Sequence, residues 1–295
     1  MEPKVSIVLL NWNNFDDTDD CLESIEKQDY GQLQTILIDN GSDDGSFGRL
    51  TKDHNLVSTR LKSNIGFPAA NNIGIEIAME TDSDYIFLLN NDTILPKDDV
   101  ISKLVSVAEG RENLGILSPI ITHYPETEQI WFAKGVINKY LGETKHKYKN
   151  RNIGELDSKR LINNDRMTGC AMFVPDYVFE DVGKLESDYF LLESDTDFSL
   201  RVREQGYDLI TDSTNVIHHK VSASTDDQFE LSYYSSRNRW RLINDSSTFY
   251  RTAKLAYVLG TIRGIFRRIK SGEIRYVPDL VRGAIHGIIG RDGKK

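Results

Sequence analysis

Tyr85-Ile86-Phe87-Leu88-Leu89 is an unbroken apolar run that meets Asn90-Asn91-Asp92-Thr93 and stops. A run this short, apolar at every position, has no wet face. It reads as a strand covered on both sides, as in a parallel sheet. Ligands of open α/β sheets sit beyond the carboxyl ends of the strands, and that is where Asp92 falls. A solvated turn after a strand uses the same amide and carboxylate side chains, so the weight must come from repetition.

The pattern does repeat. Residues 5–10 run into Asn11-Trp12-Asn13-Asn14, and Thr35-Ile36-Leu37-Ile38 runs into Asp39-Asn40-Gly41-Ser42. Residues 56–61 read as a third strand, followed by Ser63-Asn64-Ile65-Gly66-Phe67. Between them lie an acid-led segment, Asp16-Asp17-Thr18-Asp19-Asp20, suited to a helix start, and a helix expected over residues 69–79. Ile101, Leu104, Val105 and Ala108 share one helical face. Alternating strands and helices predict a parallel sheet with right-handed crossovers. No Gly-x-Gly-x-x-Gly follows any strand, which disfavours a dinucleotide-dependent oxidoreductase.

The second half carries two more polar endings. Residues 167–174 are strand-like, and a helix is expected over 177–182, closed by Gly183. Tyr189-Phe190-Leu191-Leu192 then meets Glu193-Ser194-Asp195-Thr196-Asp197, three carboxylates at an expected helix start. Acids there often serve only as caps. Val216-Ile217 ends in His218-His219-Lys220, and Asp with His suits a divalent ion.

At 295 residues, one large α/β core or such a core with an appendage is expected. No leader is expected from Met1-Glu2-Pro3-Lys4, and no stretch nears the ~20 apolar residues of a membrane span. Cys21 and Cys170 show neither metal-site spacing nor a disulfide framework, so a reduced, cytoplasmic protein is expected. The net charge of −9 is uneven. Residues 251–295 hold eleven Lys/Arg against three acids, or +8, leaving 25 basic and 42 acidic side chains, or −17, in the rest. An acidic body excludes nucleic acid as its partner, and a basic tail calls for an anionic one. Leu255, Leu259, Ile262, Phe266 and Ile269, then Val277, Leu280, Val281, Ala284 and Ile288, keep helical spacing. Two basic amphipathic helices read as a membrane-surface element, or as helices packed on protein or in a homodimer.

Taken in order, these landmarks resemble the family 2 glycosyltransferases, in particular the rhamnosyltransferase-like branch. They are Asn11-Trp12-Asn13, Asp39-Asn40-Gly41-Ser42, Asn64-x-Gly66-Phe67 with Asn71-Asn72-x-Gly74, Asn90-Asn91-Asp92, Thr168-Gly169-Cys170, Asp195-Thr196-Asp197, His219-Lys220 and Tyr234-x-x-Arg237-Asn238-Arg239. The resemblance covers about residues 4–245. It implies a GT-A fold, an α/β fold with a mostly parallel central sheet flanked by helices. Residues 1–115 would be the nucleotide-sugar half, 116–250 the acceptor half, and 251–295 a helical extension.

The same resemblance implies an inverting transfer from a nucleoside-diphosphate sugar to a glycan or lipid-linked acceptor, with Mn²⁺ or Mg²⁺. Asp39 matches the carboxylate that reads the nucleobase, Asp92 the last acid of the metal motif, and Asp195 the catalytic base, with Asp197 and Glu193 as rivals. His219 lies where related enzymes add a metal ligand. Asn11, Asn64, Gly66, Asn71, Asn91, Thr168 and Gly169 fall in the donor-binding landmarks. Arg237 and Arg239 could hold the diphosphate, since a guanidinium matches phosphate oxygens in pairs. Asn90 stands where the motif's first acid is usual, and Ser194 where a Glu is. An inactive sugar-binding module on the same fold is the alternative. A nucleotidyltransferase would need a Gly-rich phosphate loop that residues 10–14 lack.

Overall fold

The structure is a computed structural model and describes residues 2–156, 161–220 and 228–295. The first half alternates as the apolar runs predict: β1 (Val5–Asn11), α1 (Phe15–Glu26), β2 (Leu33–Asp39), α2 (Ser46–Asp53), β3 (Val57–Arg60), α3 (Phe67–Glu80) and β4 (Tyr85–Asn90). Next come β5 (Thr93–Ile94), α4 (Val100–Glu109), β6 (Leu114–His123), β7 (Ile130–Phe132) and a separate hairpin of β8 (Gly135–Asn138) and β9 (Glu143–His146). The chain continues through β10 (Leu161–Asn163), β11 (Ala171–Pro175), α5 (Asp176–Val182), α6 (Ser194–Glu204) and β12 (Asp208–His219). Three helices close the described chain: α7 (Gln228–Asp245), α8 (Arg251–Lys270) and α9 (Val277–Ile288).

Among the described residues the main sheet runs β10-β12-β6-β11-β4-β1-β2-β3, with β5 paired to β12 and β7 to β6. Strands β1 to β4 are all parallel, and Ile7, Val8, Ile36, Leu37, Phe87 and Leu88 are buried between helical layers. Each such side chain stabilises the core by about 2 kcal/mol. Beyond β4 the sheet is mixed rather than uniformly parallel, because β11 runs against both β4 and β6. β11 also starts later than the apolar pattern suggests. The amides of Met167 and Gly169 donate to the side chains of Ser199 and Asp195 instead of to a neighbouring strand.

The C-terminal helices divide their roles. α9 lies along α7 so closely that a Cβ on Gly283 would sit 2.3 Å from the Tyr233 carbonyl oxygen. α8 buries only Ala253 and Tyr257. Its Leu255, Leu259, Ile262, Phe266 and Ile269 are exposed. Of the outcomes expected for the tail, α9 packs on α7 through Gly283 and Ala284 while its Ile285 and Ile288 stay exposed, and α8 keeps an open apolar face.

Candidate active site

Parallel pairing brings the polar strand ends to one edge. Asn11 pairs with Asp39 and Leu10 with Asn90, while His219 pairs with Thr93 across β12 and β5. A continuous hydrogen-bond network ties β1 to β4. Asn11 Nδ2 donates to Ser46 Oγ (2.9 Å), Thr18 Oγ1 to Asn11 Oδ1 (3.0 Å), and Asn91 Nδ2 to Thr18 Oγ1 (2.7 Å). Asp39 is wholly buried within it, accepting from Asn11 Nδ2 (2.9 Å) and the Ser42 amide (3.0 Å), with Arg60 Nε 3.5 Å away. Asp39, expected to read a nucleobase, orders the loop behind β2 through these bonds, which use one lone pair on each carboxylate oxygen. Asn64 accepts from Asn40 Nδ2 and the Gly66 amide, and Asn71 Nδ2 donates to the Phe67 carbonyl, so both shape the start of α3.

Asp92 and His219 form the second group. His219 Nε2 lies 3.0 Å from Asp92 Oδ1, yet Oδ1 has no aligned hydrogen-bond partner, and His219 Nδ1 has none either. Both residues are buried. Burial pulls the His219 pKa down, but the Cys170 thiol and the Asp92 carboxylate outweigh it and raise it. Orphaned donor atoms this deep are costly unless something binds them. Two ligands held side by side on a cation with ~2.1 Å bonds sit about 3 Å apart, so Asp92 and His219 fit a shared divalent ion. Among the described residues no cluster of three or more His, Cys, Asp or Glu forms a complete cage. Such an ion would need the ligand's own oxygens.

Asp195 joins this edge through the loop before β11. Its Oδ2 accepts from the Gly169 amide (2.9 Å), and the next carbonyl, Cys170, accepts from the Asn90 amide (2.9 Å). Thr168, one residue earlier, is buried. Oδ1 accepts from the Thr196 amide at 2.7 Å. The other two acids are committed elsewhere. Asp197 pairs with Arg201 Nε at 2.9 Å, its pKa raised by burial against the pull of that guanidinium, and Glu193 faces Arg239 at 3.4 Å.

Arg166 and His146 complete the surroundings of Asp195, and neither carries a pattern in the sequence. Buried Arg166 reaches Asp195 Oδ2 (3.5 Å), Thr196 Oγ1 (2.8 Å) and His146 Nε2 (2.7 Å). The network assigns the His146 proton to Nδ1, which bonds the Trp131 carbonyl. Burial, reinforced by the Arg166 charge, pushes the imidazole down to about 4. The only mark of Arg166 in the sequence is its place between the polar Asn163-Asn164-Asp165 and the strand-like run from Met167.

Arg237 is a correction. It is 2% exposed, and its guanidinium donates to Asn238 Oδ1 and to the carbonyls of Asp188, Tyr189 and Gly293. A guanidinium has five N–H donors, and with these bonds made and the group buried it is not presented to a diphosphate.

Residues 6–179 match the family model described as Glycosyl transferase family 2. The chain is 24% identical over 304 residues to the "Low-salt glycan biosynthesis hexosyltransferase Agl10" of Haloferax volcanii, covering 98% of this chain and 92% of that protein. An "N-acetylglucosaminyltransferase" of Azorhizobium caulinodans is 26% identical over 147 residues, 48% of this chain and 36% of its own. Among solved structures, the mannosyltransferase PcManGT from Pyrobaculum calidifontis, in complex with GDP-Man and Mn²⁺, superposes with a TM-score of 0.62. Identity there is 13%, over 99% of this chain and 88% of that one. GalNAc-T7, with UDP, GalNAc and Mn²⁺, gives a TM-score of 0.66 at 14% identity, over 82% and 48%. These likenesses establish the GT-A fold, with a mixed central sheet, flanking helices and a C-terminal helical extension. With the family model matched over more than half its length, the chain belongs to glycosyl transferase family 2.

Proposed function

We propose that this protein is an inverting hexosyltransferase that uses a nucleoside-diphosphate sugar, with Asp195 as its base. One observation carries the reading: the Gly169–Cys170 backbone links the Asp195 carboxylate directly to the strand edge that ends in Asp92. The donor would lie across the Asn11–Asn91 network, its diphosphate toward Asp92 and His219. A Mn²⁺ or Mg²⁺ ion held by those two residues and the diphosphate would stabilise the charge of the leaving group. Asp195 takes the proton of the acceptor hydroxyl as its oxygen attacks the anomeric carbon and the bond to the diphosphate breaks. One displacement without a protein nucleophile inverts the anomeric centre; retention by double displacement needs a second carboxylate about 5 Å away. Arg166 and the amides of Gly169 and Thr196 orient the carboxylate.

The donor is a hexose, with rhamnose the first to test. The test is a panel of UDP-, GDP- and dTDP-sugars, scored by thermal shift with and without Mn²⁺ and by transfer to isolated glycan and polyprenyl-phosphate acceptors. Stabilisation by none of the donors overturns the reading.

The acceptor side extends the proposal. α8 carries Arg263, Arg267 and Lys270 beside its open apolar face, and exposed apolar stripes rimmed by cations suit an anionic lipid surface. Among the described residues no helix is long and apolar enough to cross a membrane. A lipid-linked acceptor presented at the cytoplasmic face would thus be met by a peripheral helix.

A further inference from the structure

The segment that delivers Asp195 is held in a conformation its own side chains oppose. Phe190, Leu192 and Glu193 have φ of 59°, 65° and 66°, a region that residues with a Cβ rarely occupy. Glu193, the N-cap of α6, makes no side-chain capping bond. The hold comes from α7. Asn238 Nδ2 is shared among the carbonyls of Tyr189 (3.0 Å), Leu191 (2.6 Å) and Leu192 (3.0 Å). Arg237 binds the carbonyls of Asp188 (3.2 Å) and Tyr189 (2.8 Å), and its Nε fixes the Asn238 amide through Oδ1 (2.8 Å). From the other side, the Phe190 carbonyl accepts from the Phe67 amide at 2.7 Å. α9 backs the arrangement: a Cβ on Gly287 would lie 2.7 Å from the Arg237 carbonyl oxygen.

We propose that Arg237 and Asn238 are positioning residues for the transfer, acting as a clamp on residues 188–192 that sets the direction of Asp195. The inference rests on Asp195 being the base. Overtwisted backbone persists only where surrounding contacts over-determine it, and here two adjacent buried side chains supply those contacts. They hold the connection between α5 and α6 that leads to the acid without touching the acid.

The test is kinetic. Asn238→Ala is expected to lower kcat about 100-fold, the scale of a misplaced general base, while UDP and GDP with Mn²⁺ bind within about threefold by calorimetry. If Asn238 acts only through Asp195, adding Asn238→Ala to Asp195→Asn should slow residual transfer by no more than about twofold. Since Asn238 is buried, a pair at exposed Leu192 guards against misfolding. Leu192→Gly tolerates positive φ and should keep transfer within about threefold, whereas Leu192→Val resists it and should lose about tenfold. The proposal is overturned if the double variant shows multiplied losses, or if the two Leu192 variants transfer equally. Loss of diphosphate affinity in Arg237→Met would make Arg237 a donor ligand instead. Full transfer by Asp195→Asn alone would remove the base reading, in an arm separate from the others.

Discussion

His219 Nε2 stands 3.0 Å from Oδ1 of Asp92, the residue that leads into β5 where β5 pairs with β12. Asp92 Oδ1 has no aligned hydrogen-bond partner, nor has the far ring nitrogen of His219, Nδ1, so a cation is expected to complete the pair. Mn²⁺ with UDP or GDP is expected to raise Tm, equivalent to about 2.7 kcal/mol at 100 times Kd. In His219→Ala and Asp92→Ala the Mn²⁺-dependent part of that rise should vanish. Chelation with EDTA should abolish transfer, and added Mn²⁺ should restore it.

Asp195→Asn removes the proton acceptor, and its single amide oxygen can keep one of the Gly169 and Thr196 amide bonds. Transfer is expected to fall by about 10²–10⁴, with metal-dependent nucleotide binding retained. An inactive binding module would lose nothing, and Asp197→Asn, which breaks only the Arg201 pair, should lower stability more than kcat.

The neutral state of His146 gives a pH signature. Its folded pKa is about 4, against 6.5 for an unperturbed imidazole, so between those values the unfolded chain binds the extra proton and stability falls as pH falls. Above about pH 6.5 this penalty is absent; near pH 4 it amounts to ~3 kcal/mol. In melts from pH 7.5 to 4.5, wild type should lose Tm relative to His146→Gln. Parallel curves would show that the imidazole does not titrate as described.

α8 and α9 should separate cleanly under mutation. Leu259→Asp with Phe266→Asp alters exposed positions and should leave Tm within about 2 °C while abolishing co-sedimentation with phosphatidylserine vesicles. Gly283→Val should instead cost about 1–3 kcal/mol or more of stability by driving α9 off α7. Vesicle binding that survives the double Asp variant would remove the lipid role of α8.

The strand ends at Asn11, Asp39 and Asn90 were legible because continuous apolar runs, buried on both faces, stop abruptly at polar side chains. Strand polarity was less so: β11 is as apolar as β4, and nothing in a strand's own residues says which way it runs. Arg166 was missed because a single buried cation has no period. Arg237 was misjudged for a related reason: a guanidinium that serves carbonyl oxygens is spelled like one that serves a diphosphate. For the tail, the spacing of Gly283 and Gly287 was the overlooked signal, since two small residues one turn apart admit the backbone of α7.

Trp131 packs edge-on against the ring of His219, 4.5 Å between centroids, and against His146 on its other flank at 5.1 Å. The chain has three tryptophans, and this indole alone touches a candidate metal ligand among the described residues. A paramagnetic ion seated on that imidazole would quench its fluorescence, whereas Mg²⁺, being diamagnetic, would leave the emission bright. With a metal at that site, this indole would report its occupancy optically, readable in a stirred cuvette without any added dye.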